Sequence, residues 1–353
     1  VPPSSPEDAL RAPFDALPDV DTMVRAAVRW HFDPRTGSPF WQDLARSLPF
    51  DPVADVAGAA DLVRFPDVGD HLRTVPVRDL VPKGFGASAV PLVFESGGTT
   101  GAPKRIVELG FWRRTAHWID RCLDEHGVPR AGPWLYLGPT GPHVAGYAFG
   151  TVAALRGGPF CTVDFDPRWV KRNPRQIVAY LDYVLEQAEW ALRTQRIAVL
   201  WATPPLLVAL ADRPDLVDLV SSTVDTIVWS GVAASAETLH LLDHEVFPDV
   251  RLVGVYGNTV MGAAPQRPGE GCVFEPFSPH SVIEVVDPDG RAVPYGERGR
   301  VRVHHMSADM FLPNMVERDL ATRCPPSRPG GPDGLSDVTS AVCSDGVLAQ
   351  GVY

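Results

Sequence analysis

The chain has 353 residues, is 45% hydrophobic and 21% charged, and carries a formal net charge of −11, the profile of a globular protein of one or two domains. No basic block accompanies that charge, which argues against a nucleic-acid partner. The longest apolar stretch, Ile197 to Ala211, is interrupted by Pro204-Pro205 and falls short of a membrane span, and the N-terminus lacks a secretory leader pattern, so no membrane partner is expected.

Proline and glycine make up about one residue in five, yet they lie between periodic segments rather than in one run, as in a folded, loop-rich body. The five cysteines form no C-x-x-C pair, which fits a cytoplasmic protein with free thiols better than a disulfide framework or a zinc site. Only three lysines are present, Lys83, Lys104 and Lys171. Any chemistry that needs a lysine is confined to these.

Residues 1–85 contain two predicted helices, Val20 to His31 and Phe40 to Leu48, and no chemical signal. Between residues 90 and 260, strands are predicted at Pro91–Glu95, Trp134–Leu137, Phe160–Phe165, Ile197–Ala202, Thr226–Trp229 and Leu252–Tyr256. Helices are predicted between them at Phe111–His126, Val144–Leu155, Arg175–Thr194, Leu206–Val220 and Ala234–Val246. This alternation implies an α/β fold with a largely parallel sheet covered by helices. After residue 280 the pattern changes: Val282–Val286, the turn Asp287-Pro288-Asp289-Gly290 and Arg300–His304 predict an antiparallel hairpin or small barrel. Residues 324–334 read as a Pro/Gly-rich loop.

The strongest chemical signal follows the first of those strands: Ser96-Gly97-Gly98-Thr99-Thr100-Gly101-Ala102-Pro103-Lys104. Glycines let backbone amides approach an anion, hydroxyls add donors, and the lysine adds a charge. The spacing is neither that of the P-loop nor that of the dinucleotide fingerprint. A flexible surface turn is the plain alternative, and the concentration of hydroxyls and a lysine favours a phosphate-binding loop.

This run resembles the ATP-binding loop of the adenylate-forming superfamily, which includes acyl- and aryl-CoA ligases, adenylation domains and luciferases; Gly97 stands where a serine is usual. Further segments follow in the family's order. Pro139 to Gly146 is similar to the segment that gates the acyl pocket, with His143 at the matching position. Trp229-Ser230-Gly231-Val232-Ala233 is similar to the segment lining the adenine and substrate pocket, and Tyr256-Gly257-Asn258-Thr259 to the Y-G-x-[ST] element. Glu317-Arg318-Asp319-Leu320 resembles the element whose aspartate holds the ribose, in a form similar to the phenylacetate-CoA ligase branch and the aryl-acid adenylating proteins of phenazine-type biosynthesis. Taken singly, His143 reads as a structural histidine, Tyr256 as a core aromatic and Asp319 as a surface charge. Their order and spacing together favour the family.

The resemblance implies the large N-terminal domain of that superfamily, with mostly parallel sheets covered by helices and a small antiparallel subdomain. The expected organisation is an ATP- and acid-binding core over 1–280, a β subdomain over 281–323, and a Pro/Gly-rich loop with a truncated hinge over 324–353. The expected activity is ATP-dependent activation of a carboxylic acid, in keeping with an aromatic one, as an acyl-adenylate in secondary metabolism such as antibiotic biosynthesis. The acceptor would be a separate enzyme, a carrier protein or CoA. Ser96 to Gly101 and Lys104 would hold the β- and γ-phosphates and Thr259 the α-phosphate, while Gly231, Val232, Ala233, Tyr256, Gly257, Asn258 and Asp319 would hold the nucleoside. Lys104, Thr259 and His143 are the candidate catalytic residues. The acid would lie beyond His143 against Phe149, Val232, Met261 and Gly262.

Three departures from the family pattern stand out. Val260 replaces the glutamate that usually helps to hold Mg2+, and valine cannot ligate a hard cation. In Gly334-Leu335-Ser336-Asp337-Val338, Leu335 replaces the arginine of the usual hinge. A competing alignment makes Asp337 the ribose aspartate; Asp319 keeps its neighbours better. The chain stops at Tyr353, where the small C-terminal domain with its lysine is expected to begin. These departures motivate an alternative, a catalytically lapsed protein that binds ATP and an aryl acid. A nitrite-activating diazotase is a more distant third, which nothing in the sequence selects.

Overall fold

The prolines that mark the composition open helices. Pro6, Pro39, Pro52, Pro167, Pro204 and Pro214 each begin one, a position where the missing N–H costs nothing and the fixed φ already suits the helix. Side chains of Ser5, Asp19, Ser38, Asp51, Asp166 and Ser235 accept from backbone N–H groups of the first turns. The computed structural model describes residues 5–97 and 102–340.

Twelve strands are present among the described residues: β1 (Leu92–Glu95), β2 (Arg105–Glu108), β3 (Trp134–Leu137), β4 (Phe160–Val163), β5 (Val199–Ala202), β6 (Thr226–Ser230), β7 (Arg251–Asn258), β8 (Gly262–Pro265), β9 (Ser281–Val286), β10 (Arg298–Met306), β11 (Phe311–Cys324) and β12 (Gly334–Ser340). They fall into two units, each discontinuous in sequence. The first comprises residues 1–112, 259–262 and 276–334, and the second residues 113–258, 263–275 and 335–353.

The second unit is built on a sheet of order β4-β3-β5-β6-β7-β8, in which the pairs β3/β4, β3/β5, β5/β6 and β6/β7 are parallel. Strands β3, β5 and β6 are buried along their whole length, which explains why they read as unbroken apolar runs rather than alternating ones. Tyr136 of β3 stacks on Trp201 of β5 at 4.4 Å between ring centroids, and Phe149 lies 5.4 Å from Trp201. The predicted single helix Leu206–Val220 is two helices, Pro204–Ala211 and Pro214–Thr223. Pro214 disfavours helical backbone at Arg213, whose φ of −116° and ψ of 90° are extended. The predicted helix Ala234–Val246 is α-helical only over Ala236–His240 and continues as a π-helical turn over Leu241–Val246.

In the first unit, β1 and β2 form an antiparallel hairpin and β10 pairs antiparallel with both β9 and β11. Helices of the N-terminal segment contribute to its core. Phe32, Trp41 and Phe65 surround Phe311, with centroids 5.2 and 5.3 Å from Phe311 for Trp41 and Phe65. Strand β11 has no counterpart in the sequence reading because two register shifts break its alternation. One falls at Pro313-Asn314, where Asn314 takes a φ of 54° and donates through Nδ2 to the carbonyl of Phe65 at 2.8 Å. The other falls at Glu317-Arg318-Asp319: Arg300 pairs with Leu320 and Arg302 with Val316, so three residues of β11 face one of β10.

Candidate nucleotide- and acid-binding residues

In the first unit the glycine-rich loop is pinched at its base by two hydrogen bonds. Ser96 N–H donates to the Lys104 carbonyl and Lys104 N–H donates to Ser96 Oγ, both at 2.9 Å. Ser96 and Gly97 enter this base at the end of β1, and Lys104 leaves it into β2. Gly98, Thr99, Thr100 and Gly101 lie outside the described residues. Beside the base, Arg105 Nε lies 3.2 Å from Glu95 Oε1, and the Arg73 guanidinium donates to the Ala102 carbonyl.

Thr259 joins this group. It is fully buried, and its hydroxyl donates to the Glu95 carbonyl at 3.4 Å. The residues after it are clamped from β9 and β10. His305 donates through Nδ1 to the Val260 carbonyl at 2.7 Å, and the Ser281 hydroxyl donates to the Met261 carbonyl. His305 Nε2 accepts from the Ser307 hydroxyl at 2.8 Å, the arrangement of a neutral imidazole. Burial drives the His305 pKa down to about 4. The Val260 side chain is buried and apolar, so this position offers a cation nothing. Gly262 turns the chain at a φ of 89°, and a Cβ there would meet the Phe111 ring at 3.1 Å.

Lys104 and Glu317 form an ion pair, Nζ to Oε1 3.6 Å, with both side chains less than a fifth exposed. Glu317 belongs to the β11 bulge, as does the buried Asp319, and Arg300 donates to the Glu317 carbonyl at 3.1 Å. The tip of Lys104 rests on Gly69, where a Cβ would stand 3.3 Å from Nζ.

In the second unit, Gly231 leaves β6 at a φ of 86°, followed by the buried Val232 and the half-buried Ala233. Ser230 pairs with Val255, so this turn starts beside Tyr256, Gly257 and Asn258 at the end of β7. Tyr256 is half-buried, its ring 6.0 Å from Phe274. His143 is buried as the N-cap of the helix Val144–Leu155, its Nδ1 accepting from Ala145 N–H at 3.2 Å. Phe149, on the same helix, packs into the aromatic core with Tyr136 and Trp201. Both have structural roles in full view.

Glu317, Gly69, Ser281 and His305 are the neighbours of these residues that the sequence reading left without a role. Glu317 lies within the element Glu317-Arg318-Asp319-Leu320. Gly69, Ser281 and His305 carry no local signal, because each meets its partner only through the folded chain.

No protein-family model matches the chain, and no curated protein sequence does. Solved structures do. The chain is similar to 2-hydroxyisobutyryl-CoA ligase in an open conformation with 2-HIB-AMP and CoA, at a TM-score of 0.66, 16% identity, 91% of this chain and 68% of the ligase. It is similar to the same ligase in its postadenylation state, at a TM-score of 0.61 and 15% identity over 95% of this chain and 66% of the ligase. The thioesterification state matches at 0.59 and 14% identity, over 91% and 67%. The chain thus spans about two thirds of the length of that ligase and shares its α/β fold over that span. None of the helices among the described residues is long and apolar enough to cross a membrane.

Proposed function

We propose that the chain binds ATP and a carboxylic acid and joins them as an acyl-adenylate. The acid's carboxylate oxygen attacks the α-phosphorus, the bond to the β-phosphate bridging oxygen breaks, and pyrophosphate leaves. Chemistry of this kind depends on positioning and on neutralising the phosphate oxygens. Lys104 and the loop begun by Ser96 and Gly97 would hold the β- and γ-phosphates, Thr259 the α-phosphate, and Asp319 the ribose. Gly231 to Ala233 and Tyr256 to Asn258 would hold the base. His143, Phe149, Val232, Met261 and Gly262 are proposed to set the acid, for which an aromatic compound of secondary metabolism is the favoured class. A separate enzyme, carrier thiol or CoA would take the acyl group, in the cytoplasm.

The observation that supports this reading most directly is the convergence, within one unit, of the loop base Ser96–Lys104 with Thr259 and the Glu317–Asp319 bulge. Mg2+ would come with the nucleotide: among the described residues no group of three or more His, Cys, Asp or Glu could hold a metal, whereas one carboxylate such as Glu317 together with phosphate oxygens is a common set of Mg2+ ligands. The ion would neutralise charge on the leaving pyrophosphate. The test is acid-dependent ATP–pyrophosphate exchange across aromatic and aliphatic acids, with Lys104→Ala as control. Exchange that Lys104→Ala abolishes is expected, and none with any acid overturns the proposal. The burial of Val260 favours a second reading, binding without turnover; calorimetric binding of ATP without exchange would select it.

A further inference from the structure

The one lysine at the loop is already paired. Lys104 Nζ and Glu317 Oε1 stand 3.6 Å apart, each side chain less than a fifth exposed, so their interaction is screened less than at an open surface. Glu317 is held there by its backbone, since the bulge fixes its place on β11 and Arg300 grips its carbonyl. Asp67 adds to the local negative charge: its Oδ2 accepts from Val316 N–H, next to the bulge, and its Oδ1 lies 3.0 Å from where a Gly69 Cβ would stand, the point Lys104 also touches.

A polyphosphate arriving at Lys104 therefore meets a carboxylate as well as an ammonium. We infer that Glu317 makes nucleotide capture depend on a divalent cation, by repelling metal-free polyphosphate from Lys104 and attracting the metal complex. The inference rests on the proposed nucleotide site and adds a selectivity to it. Without the cation, like charges face each other across the lysine. With it, the ion is shared between the carboxylate and the phosphate oxygens, and the ammonium is freed to contact phosphate. No proton or covalent change is needed.

The test is calorimetric titration of the full chain with ATP, in excess chelator and in excess Mg2+, for the unaltered protein, Glu317→Gln, Glu317→Asp and Lys104→Ala. The unaltered protein is expected to bind the Mg2+ complex about tenfold more tightly than metal-free ATP. Glu317→Gln should tighten binding of metal-free ATP and bring the two affinities within about threefold of each other. Glu317→Asp, which keeps the charge, should keep the preference, and it separates charge from any loss of folding. If Glu317→Gln leaves the ratio unchanged while Lys104→Ala still weakens ATP binding, the inference is overturned and the nucleotide site stands. If ATP does not bind at all, or binds equally well without Lys104, the site itself is wrong and the inference falls with it.

Discussion

His305 Nδ1 lies 2.7 Å from the Val260 carbonyl, across 45 residues of chain, and gives that buried carbonyl its hydrogen bond. Val260 follows Thr259, so the imidazole fixes the backbone next to the proposed α-phosphate contact. His305→Leu removes this hydrogen bond at a cost of about 0.5–1.5 kcal/mol and should weaken ATP binding as well. His305→Asn keeps a donor close to the Nδ1 position and should recover part of the affinity. Denaturation and ATP titration of both variants check this. Loss of stability with unchanged ATP affinity in His305→Leu would refute the positioning role.

His31 and His305 set a pH dependence. Burial, chiefly, holds both near a pKa of about 4, and His31 Nε2 donates to the Ser307 carbonyl at 2.8 Å. In the unfolded chain both titrate near 6.5. Below that value the unfolded chain takes up protons that the folded one refuses, so stability is greatest above pH 6.5 and falls as pH drops toward 4. Each group should cost about 1–2 kcal/mol between pH 7 and 5. Urea denaturation at the two pH values reads the loss, and His305→Asn should make it shallower. Equal stability at both would contradict the burial of neutral imidazoles.

Gly69 tests the placement of Lys104. A Cβ at Gly69 would stand 3.2 Å from Lys104 Cε and 3.3 Å from Nζ, the movable end of a long side chain. Gly69→Ala should therefore change stability by no more than about 0.5 kcal/mol yet weaken ATP binding about fivefold by displacing the ammonium. Unaltered ATP affinity would mean that Lys104 takes its working position elsewhere.

Phe149 tests the proposed wall of the acid site. It is buried against Tyr136 and Trp201, so Phe149→Ala should lower stability by about 3–5 kcal/mol. The same variant should also change which acids support ATP–pyrophosphate exchange; lost stability with an unchanged choice of acid would remove Phe149 from the proposed wall of the acid site.

Much of this molecule is written locally. Strand β3 and the helix Val144–Leu155 have the bounds that the sequence predicts, because buried parallel strands and helix periodicity are properties of a few adjacent residues. The proposal of a phosphate-binding loop at Ser96–Lys104 has the same local basis, because an anion cradle needs glycines, hydroxyls and a cation close together in sequence. Strand β11 was not, since its bulges exist only against β10 and break the alternation that would have revealed it.

The shortage of lysine shows the same division. Composition and order determined that Lys104, of three lysines, follows a run of glycines and hydroxyl residues, and that position 260 is a valine. Only the tertiary structure decided what surrounds them: Glu317 beside the ammonium, Gly69 beneath it, and His305 on the Val260 carbonyl. Charge pairing and carbonyl satisfaction act through space at about 3 Å, between residues that are 35 to 213 positions apart in the chain.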